Sequence, residues 1–316
     1  MNQYLRRFHE CPGCGASSSE TKHLFNVSLL ETFCSVGQCS SCGLVYKTFV
    51  PTKEGLERIY SNEYVHFGTD TIDIADFNTA KQKLSKVRKA LSGKRLPNEL
   101  KLLDVGCGSG NFVRIAQNLG YQAEGIDPYL PSQLKSKYLH NKSPEDILQN
   151  SYNIAVLLNV AEHLDQPRQM FSAIRQLLKP DGVMLLTCPY GDSYARRVHQ
   201  AYWGHLALDE HLLFWTPRSL TKLLHEVGFQ GKVSYRIAGS PFPYGRVKSQ
   251  VFTTKEAETE VQASSEYKEH KPTLQAQVWQ FARAIQRQQI AANFVRSMIH
   301  LTHTGDYLEY VIKVGK

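Results

Sequence analysis

Phe77, Ala80, Leu84, Val87 and Leu91 follow one another at steps of three and four, which places them on one helix face, and Gly93 supplies a C-terminal stop. From Lys101 the pattern changes. Short apolar runs now alternate with helical periodicity: "LLDV", the helical "NFVRIAQNLG", "QAEGID", "NIAVLLN", the helical "PRQMFSAIRQLLKPDG" and "VMLLT". Two more runs, about 229–238 and "YLEYVIKV" at 307–314, read as the last strands. Such alternation predicts a doubly wound parallel sheet, a Rossmann-like α/β fold with helices on both faces. Pro167 and Pro217 suit first helical turns, and Gly120 and Gly228 suit C-terminal caps. Between the last two strands, 240–303 reads as a helical insertion carrying Val278, Phe281, Ile285, Phe294, Val295 and Met298.

With 316 residues, 42% of them hydrophobic and 21% charged, the chain can bury one substantial core and carry an appended module. The expected organisation is a small N-terminal module at 1–50, a helical linker or cofactor lid at 51–99, and the α/β domain at 100–316. No window reaches the roughly eighteen consecutive apolar residues of a membrane span. The start, "MNQYLRRFHE", lacks the apolar segment of a signal peptide, so the cytoplasm is the expected compartment. The net charge of +8 is concentrated in residues 81–101, where eight Lys or Arg stand against the single acid Glu99. That patch can meet RNA or an anionic substrate, or serve as the solvated face of the helix.

Four of the seven cysteines form two Cys-x-x-Cys pairs, Cys11 with Cys14 and Cys39 with Cys42, each followed by glycine. Four thiolates so spaced can close tetrahedrally on Zn2+ in a zinc-ribbon module, where the site has no open position and the metal is structural. Two surface turns with free thiols, or a redox dithiol, are the other reading of the same spacing. Cys34, Cys107 and Cys188 fall outside the pattern.

The stretch "LLDVGCGSGN" holds glycines at 106, 108 and 110 behind an apolar run that ends in Asp104. A strand entering such a turn before a helix offers free backbone N–H groups to a nucleotide-type cofactor. A dinucleotide fingerprint requires a third glycine where Asn111 stands. Instead, "LLDVGCGSG" resembles the first motif of the class I S-adenosylmethionine-dependent methyltransferases. Asp127 closes the next strand, where a carboxylate can accept both ribose hydroxyls. "LLNVAEHLDQP" resembles the segment after the fourth strand in the subgroup that includes the ubiquinone-biosynthesis O-methyltransferases. "CPYGDSYARRVHQAYWGHLALDEHLLFWTPRSLTKLLHEVGF" resembles the segment after the fifth strand in the same subgroup. The cysteine-rich front, with Tyr60 and Tyr64 in its connector, is similar to members that methylate sugars, lipids or other natural products.

The resemblance implies S-adenosyl-L-methionine as cofactor. By the same resemblance Asp104 orients the glycine loop, Gly106, Gly108 and Gly110 shape it, Asp127 holds the ribose, and Asn159 meets the methionine end. Ser143, Pro144 and Glu145 would flank adenine, and Tyr64 would wall the cofactor. A hydroxyl acceptor has to lose a proton as it is methylated, and a neutral His can take it. His163, in "NVAEHL", is the candidate base, with Glu162 and His211 as further catalytic candidates and His205 beside them; core packing is the structural reading of each. Glu162, His163 and His211 also resemble the Glu-x-x-Glu-His metal cluster of small-RNA 2′-O-methyltransferases, but Asn159 occupies the place of the first Glu. Tyr190, Tyr202 and Trp203 can stack on the acceptor or pack in the core. The expected function is methyl transfer to a small-molecule acceptor, most simply at a hydroxyl. The alternatives are an RNA methyltransferase that uses the ribbon and the basic helix, and a non-enzymatic scaffold.

Overall fold

The computed structural model describes residues 2–60, 74–91, 95–206, 209–238, 298–299 and 305–315. Tyr64 lies outside them, as does the insertion expected at 240–303 apart from Met298 and Ile299. After a short strand β1 (Leu5–Arg7), the spacer between the two cysteine pairs is a β-hairpin, β2 (Thr21–Leu29) and β3 (Thr32–Cys39). Leu30 and Glu31 turn it with φ of 46° and 60°, the left-handed pair that a two-residue hairpin turn requires. β4 (Val45–Lys47) joins this sheet, and β5 (Phe49–Pro51) pairs with β1. Two helices come next, α1 (Lys53–Ile59) and α2 (Ile74–Ala90).

The main sheet is built from β6 (Lys101–Val105), β7 (Gln122–Ile126), β8 (Leu139–His140), β9 (Tyr152–Leu158), β10 (Leu178–Pro189), β12 (Val233–Ala238) and β13 (Tyr307–Lys313). Its order is β12-β13-β10-β9-β6-β7-β8. The strands from β8 to β10 run parallel, whereas β13 is antiparallel to both β10 and β12. An all-parallel sheet is therefore not what forms. The direct insertion of β13 beside β10 reverses the last strand, a choice that apolar runs alone do not encode. β9 is buried along nearly its whole length, which explains why the central strands read as continuous apolar runs.

Helices cover both faces. Leu84 and Val87 of α2 pack with Val113 and Ala116 of α3 (Asn111–Asn118) against Val183, Leu185 and Val311. On the other face, Phe171 and Ile174 of α4 (Pro167–Leu177) share a core with Leu220, Leu223 and Leu224 of α6 (Pro217–Glu226). α6 opens on a Thr216 cap, its hydroxyl accepting the Ser219 N–H at 3.1 Å. Between β10 and α6 lie α5 (Tyr194–His199) and β11 (Leu213–Phe214).

The N-terminal module is joined to the α/β domain by backbone pairing. β11 is the edge strand of the module's sheet, ordered β11-β4-β3-β2, with Leu213 opposite Tyr46 and Phe214 opposite Val45. Trp215 is fully buried in one core with Cys11, Cys42, Leu44 and Phe171. No helix among the described residues is long and apolar enough to cross a membrane.

Candidate active site

β6 has β7 on one side and β9 on the other, so the chain crosses over on both sides of it; in open α/β sheets ligands bind outside the strand ends at that point. A cavity of about 720 Å³ opens there. One part of its wall comes from Gly106, Gly108, Asp127, Ser143, Pro144 and Asn159. Another comes from Glu162, His163, His205, Glu210, His211 and Tyr307. Residues far apart in the chain thus face one volume.

At the first wall, Gly106 has φ +73°, and a Cβ there would stand 2.5 Å from the Val160 side chain, so the loop closes on the turn after β9 only with glycine. A Cβ on Gly108 would meet nothing within 4 Å among the described residues, and this residue lines the cavity. Asp127 Oδ2 accepts the Gly108 N–H at 3.2 Å, and its Oδ1 accepts the Tyr129 N–H at 2.9 Å. These two bonds aim the carboxylate and leave it lone pairs for a diol. Burial raises the pKa of Asp127 while the two N–H groups oppose the rise. Asp104, nearly sealed from solvent behind the loop, is pushed up to about 8 by burial and then by the charge of Asp127. Asp104 and Gly110 do not line the cavity. Gly110 instead packs where a Cβ would strike Leu139. Asn159 lines the cavity in a left-handed conformation, φ 57°, its amide oxygen accepting the Thr187 hydroxyl at 3.5 Å. Glu145 is solvent-exposed and outside the wall that Ser143 and Pro144 join.

At the second wall the His163 and His211 rings meet edge to face, with centroids 4.9 Å apart. One ligand-type atom from each of Glu162, His163 and His211 lies within 4.8 Å of the others. The Tyr60 hydroxyl lies 3.2 Å from His163 Nδ1, and the Tyr60 ring stacks on Tyr129 at 4.2 Å. His211 Nδ1–H donates to the His205 carbonyl at 2.8 Å. Burial, then the neighbouring His163, His205 and Lys47, hold the His211 pKa far below the ordinary imidazole value, so the ring is neutral. Trp203 and Tyr190 are buried and Tyr202 is exposed, and none of the three lines the cavity. Tyr129, Glu210 and Tyr307, by contrast, have places in the wall without any motif to announce them. Only the position of Tyr129, two residues past Asp127, offered a signal.

A family profile described as a methyltransferase domain matches residues 77–233. Among curated proteins, the chain is similar to the ubiquinone biosynthesis O-methyltransferase of Rickettsia typhi, 26% identical over 39% of this chain and 52% of that protein. It is also similar to the enzyme of the same name from Dinoroseobacter shibae, 30% identical over 42% of this chain and 60% of that protein. This chain carries a class I S-adenosylmethionine-dependent methyltransferase domain. It spans between half and three-fifths of the length of these two relatives. Among solved structures, Haemonchus contortus phosphoethanolamine N-methyltransferase 2 in complex with S-adenosyl-L-methionine aligns with a TM-score of 0.48 at 14% identity, over 93% of this chain and 71% of that one. Burkholderia thailandensis 1,6-didemethyltoxoflavin-N1-methyltransferase aligns with a TM-score of 0.46 at 12% identity, over 93% of this chain and all of the other.

The methyltransferase domain and the cysteine module meet directly behind the second wall. The Leu212 and Leu213 N–H groups donate to the Glu162 carbonyl at 2.8 and 3.0 Å, and Trp215 Nε1–H donates to the Ala161 carbonyl at 2.8 Å. On its other side the same segment receives the Lys47 N–H on the Leu212 carbonyl at 3.0 Å. Residues 212–215 are thus stitched between the module and the turn that carries Glu162 and His163. In the module, the Cys11–Cys42 and Cys14–Cys39 sulfur pairs are each 3.7 Å apart, and all four sulfurs lie within 4.8 Å of one another. A tetrahedron with metal–sulfur bonds of about 2.3 Å has edges of about 3.8 Å. The Gly15 N–H donates to the Cys11 carbonyl and the Gly43 N–H to the Cys39 carbonyl, both at 2.8 Å, so the two turns are equivalent.

Glu162 is completely buried, and neither carboxyl oxygen makes a hydrogen bond among the described residues. Burial pushes its pKa up to about 8, so it is neutral in the folded protein where the unfolded chain is already ionised. Its contribution to stability is complete below the ordinary carboxyl pKa of about 4.3 and is lost as pH rises through about 8. Asp104 acts in the same direction. The thermal midpoint of the protein is expected to fall across that window, and Glu162→Gln to flatten the fall. Melting curves at several pH values check this; equal slopes for variant and parent refute it.

Proposed function

We propose that this protein transfers a methyl group from S-adenosylmethionine to a small-molecule acceptor, most simply to a hydroxyl oxygen, and that His163 takes the hydroxyl proton. One observation carries the reading: a single cavity joins Gly108 and Asp127 to Glu162, His163 and His211. The aimed Asp127 carboxylate, the open space beside Gly108 and the cavity volume fit an extended ligand with a ribose diol. S-adenosylmethionine, when bound, supplies a methyl group on a sulfonium, already activated toward displacement. The chain's own work is alignment and proton handling. Asp127 holds the ribose, and the Gly106–Gly110 loop carries the backbone close to the cofactor, with Asp104 behind it. Asn159 belongs to the cofactor wall. His163 serves as base in the tautomer whose Nδ1–H donates to the Tyr60 hydroxyl oxygen, with the Nε2 lone pair accepting the proton. His211, neutral and anchored through Nδ1, orients the acceptor, while the Glu162 carboxyl, which has no hydrogen-bond partner among the described residues, is the candidate donor to a group bound at the same wall. Cys11, Cys14, Cys39 and Cys42 hold a structural zinc that supports this wall from behind.

The class of reaction is tested by giving the protein labelled S-adenosylmethionine together with fractionated small molecules and, separately, with RNA. Label in a small-molecule fraction is the expected result, and label in RNA alone overturns it. Calorimetry checks the cofactor. S-adenosylmethionine or its demethylated product is expected to bind and NAD not to. Asp127→Ala is expected to weaken binding by roughly 10- to 100-fold, the scale of losing hydrogen bonds to a charged acceptor. Unchanged affinity in that variant removes Asp127 from the ribose site.

A further inference from the structure

The basic stretch at 81–101 acquires a direction in the folded chain. Lys83 and Lys86, about one turn apart on α2, both reach Glu309 of β13: Lys83 Nζ donates to Glu309 Oε2 at 3.2 Å, and Lys86 Nζ donates to Oε1. On the neighbouring strand β12, Arg236 is the residue opposite Glu309. Its Nη2 stands 3.8 Å from Glu309 Oε1, too far for a hydrogen bond, and its Nε has no partner among the described residues. Burial works to raise the Glu309 pKa, and the three cations override it, so the carboxylate is charged. Three cations around one carboxylate leave two positive charges in excess.

We propose that Lys83, Lys86 and Arg236 form a binding site for a phosphate-bearing anion. The site is open to solvent: the Lys86 and Arg236 side chains are 37% and 36% exposed, and Ser234, next along the same face of β12, is exposed as well. Charge and shape select the class. A phosphate monoester carries about 1.5 to 2 negative charges near neutral pH and offers three acceptor oxygens, which matches the surplus, whereas a carboxylate would leave part of it uncompensated. A guanidinium without hydrogen-bond partners presents a planar fork that suits phosphate oxygens, and the two ammonium groups add point charges beside it.

The place of the cluster points to the methyl acceptor as the source of the phosphate, an assignment that rests on the methyltransferase reading. Side chains alternate along β13: Leu308, Tyr310 and Ile312 enter the core shared with α4 and α6, while Val311 packs under α2. Tyr307 and Glu309 therefore belong to the α2 side, two residues and about 7 Å apart. Tyr307 lines the cavity. A phosphate held at Glu309 and Arg236 thus lies one residue pair outside the second wall, where it anchors an acceptor whose other end enters toward His163. A free phosphate compound bound beside the cavity is the other source of the same chemistry.

The test uses calorimetry and side-chain NMR of the arginine Nε–H groups on the full chain, with inorganic phosphate, acetate and a single-stranded RNA oligonucleotide as probes. The expected result is saturable phosphate binding that weakens with salt and shifts the Arg236 Nε–H signal, with no such response to acetate. Arg236→Gln is expected to weaken phosphate binding about tenfold or more, and Arg236→Lys to restore part of the loss. The proposal is overturned by absent saturation, by binding that leaves the Arg236 signal in place, by an equal response to acetate, or by an Arg236→Gln affinity within about twofold of the parent. RNA that binds about 100-fold more tightly than phosphate through the same signal also overturns it, since the surface would then be a nucleic-acid interface. The probe series on the unmodified protein decides the matter even where the variants do not fold. The small-molecule fraction that takes up methyl label is then tested before and after treatment with alkaline phosphatase. Uptake lost on dephosphorylation assigns the phosphate to the acceptor; unchanged uptake with phosphate binding intact overturns that assignment and gives the site to a free phosphate compound. If no fraction takes up label, the methyltransferase reading fails separately, because the binding measurements need no cofactor.

Discussion

His163→Ala is expected to lower kcat by about 100-fold or more, the usual scale for losing a general base, while the affinity for S-adenosylmethionine stays within about twofold. The split between the two readouts arises from the geometry. His163 shares its part of the cavity with Glu162 and His211, whereas the ribose is assigned to Asp127 on the other wall. Tyr60→Phe is expected to give a smaller loss in the same direction, because the Tyr60 hydroxyl 3.2 Å from His163 Nδ1 fixes the ring and its tautomer. A structural role for His163 has a different signature, with a lower melting temperature and weaker cofactor binding accompanying the loss of rate. Turnover within a few-fold of the parent would show that His163 is not the base, and His211→Ala would be the next variant to make.

Cys42→Ser, or removal of metal by a chelator, is expected to cost several kcal/mol of stability and to loosen the second wall of the cavity. Structural zinc contributes about 10–16 kcal/mol to the folding of isolated small domains, but the effect here is bounded by a net stability of about 5–15 kcal/mol. The cysteines stand apart from the hairpin's apolar cluster of Val27, Leu29, Cys34 and Val36: Cys11, Cys39 and Cys42 share their core with Trp215 and α4. Its backbone reaches the Glu162 turn through β4 and β11, so disorder in the module frees the Leu212 and Leu213 amides from the Glu162 carbonyl. Metal analysis is expected to find one zinc per chain, and hydrogen exchange at Leu212 and Leu213 to accelerate when it is removed. Protein that is purified without chelator, contains no metal and melts unchanged in Cys42→Ser would refute both parts.

Several features are legible in the amino-acid sequence alone because each depends on neighbours in the chain. The 106–110 loop needs glycines at φ values that other residues avoid, and a strand before it and a helix after it are set by local periodicity. Cys11 with Cys14 and Cys39 with Cys42 are pairs at ligand spacing, and the knuckle turn repeats as one short pattern. The alternation of apolar runs likewise determined the class of the fold and the helices on its two faces. Tertiary structure decided the rest. The reversal of β13, and the lending of β11 to the module's sheet, are pairings between segments whose own patterns are equally consistent with other partners. The meeting of His163 with His211 and Tyr60 depends on where whole elements pack, which no local pattern in the chain encodes.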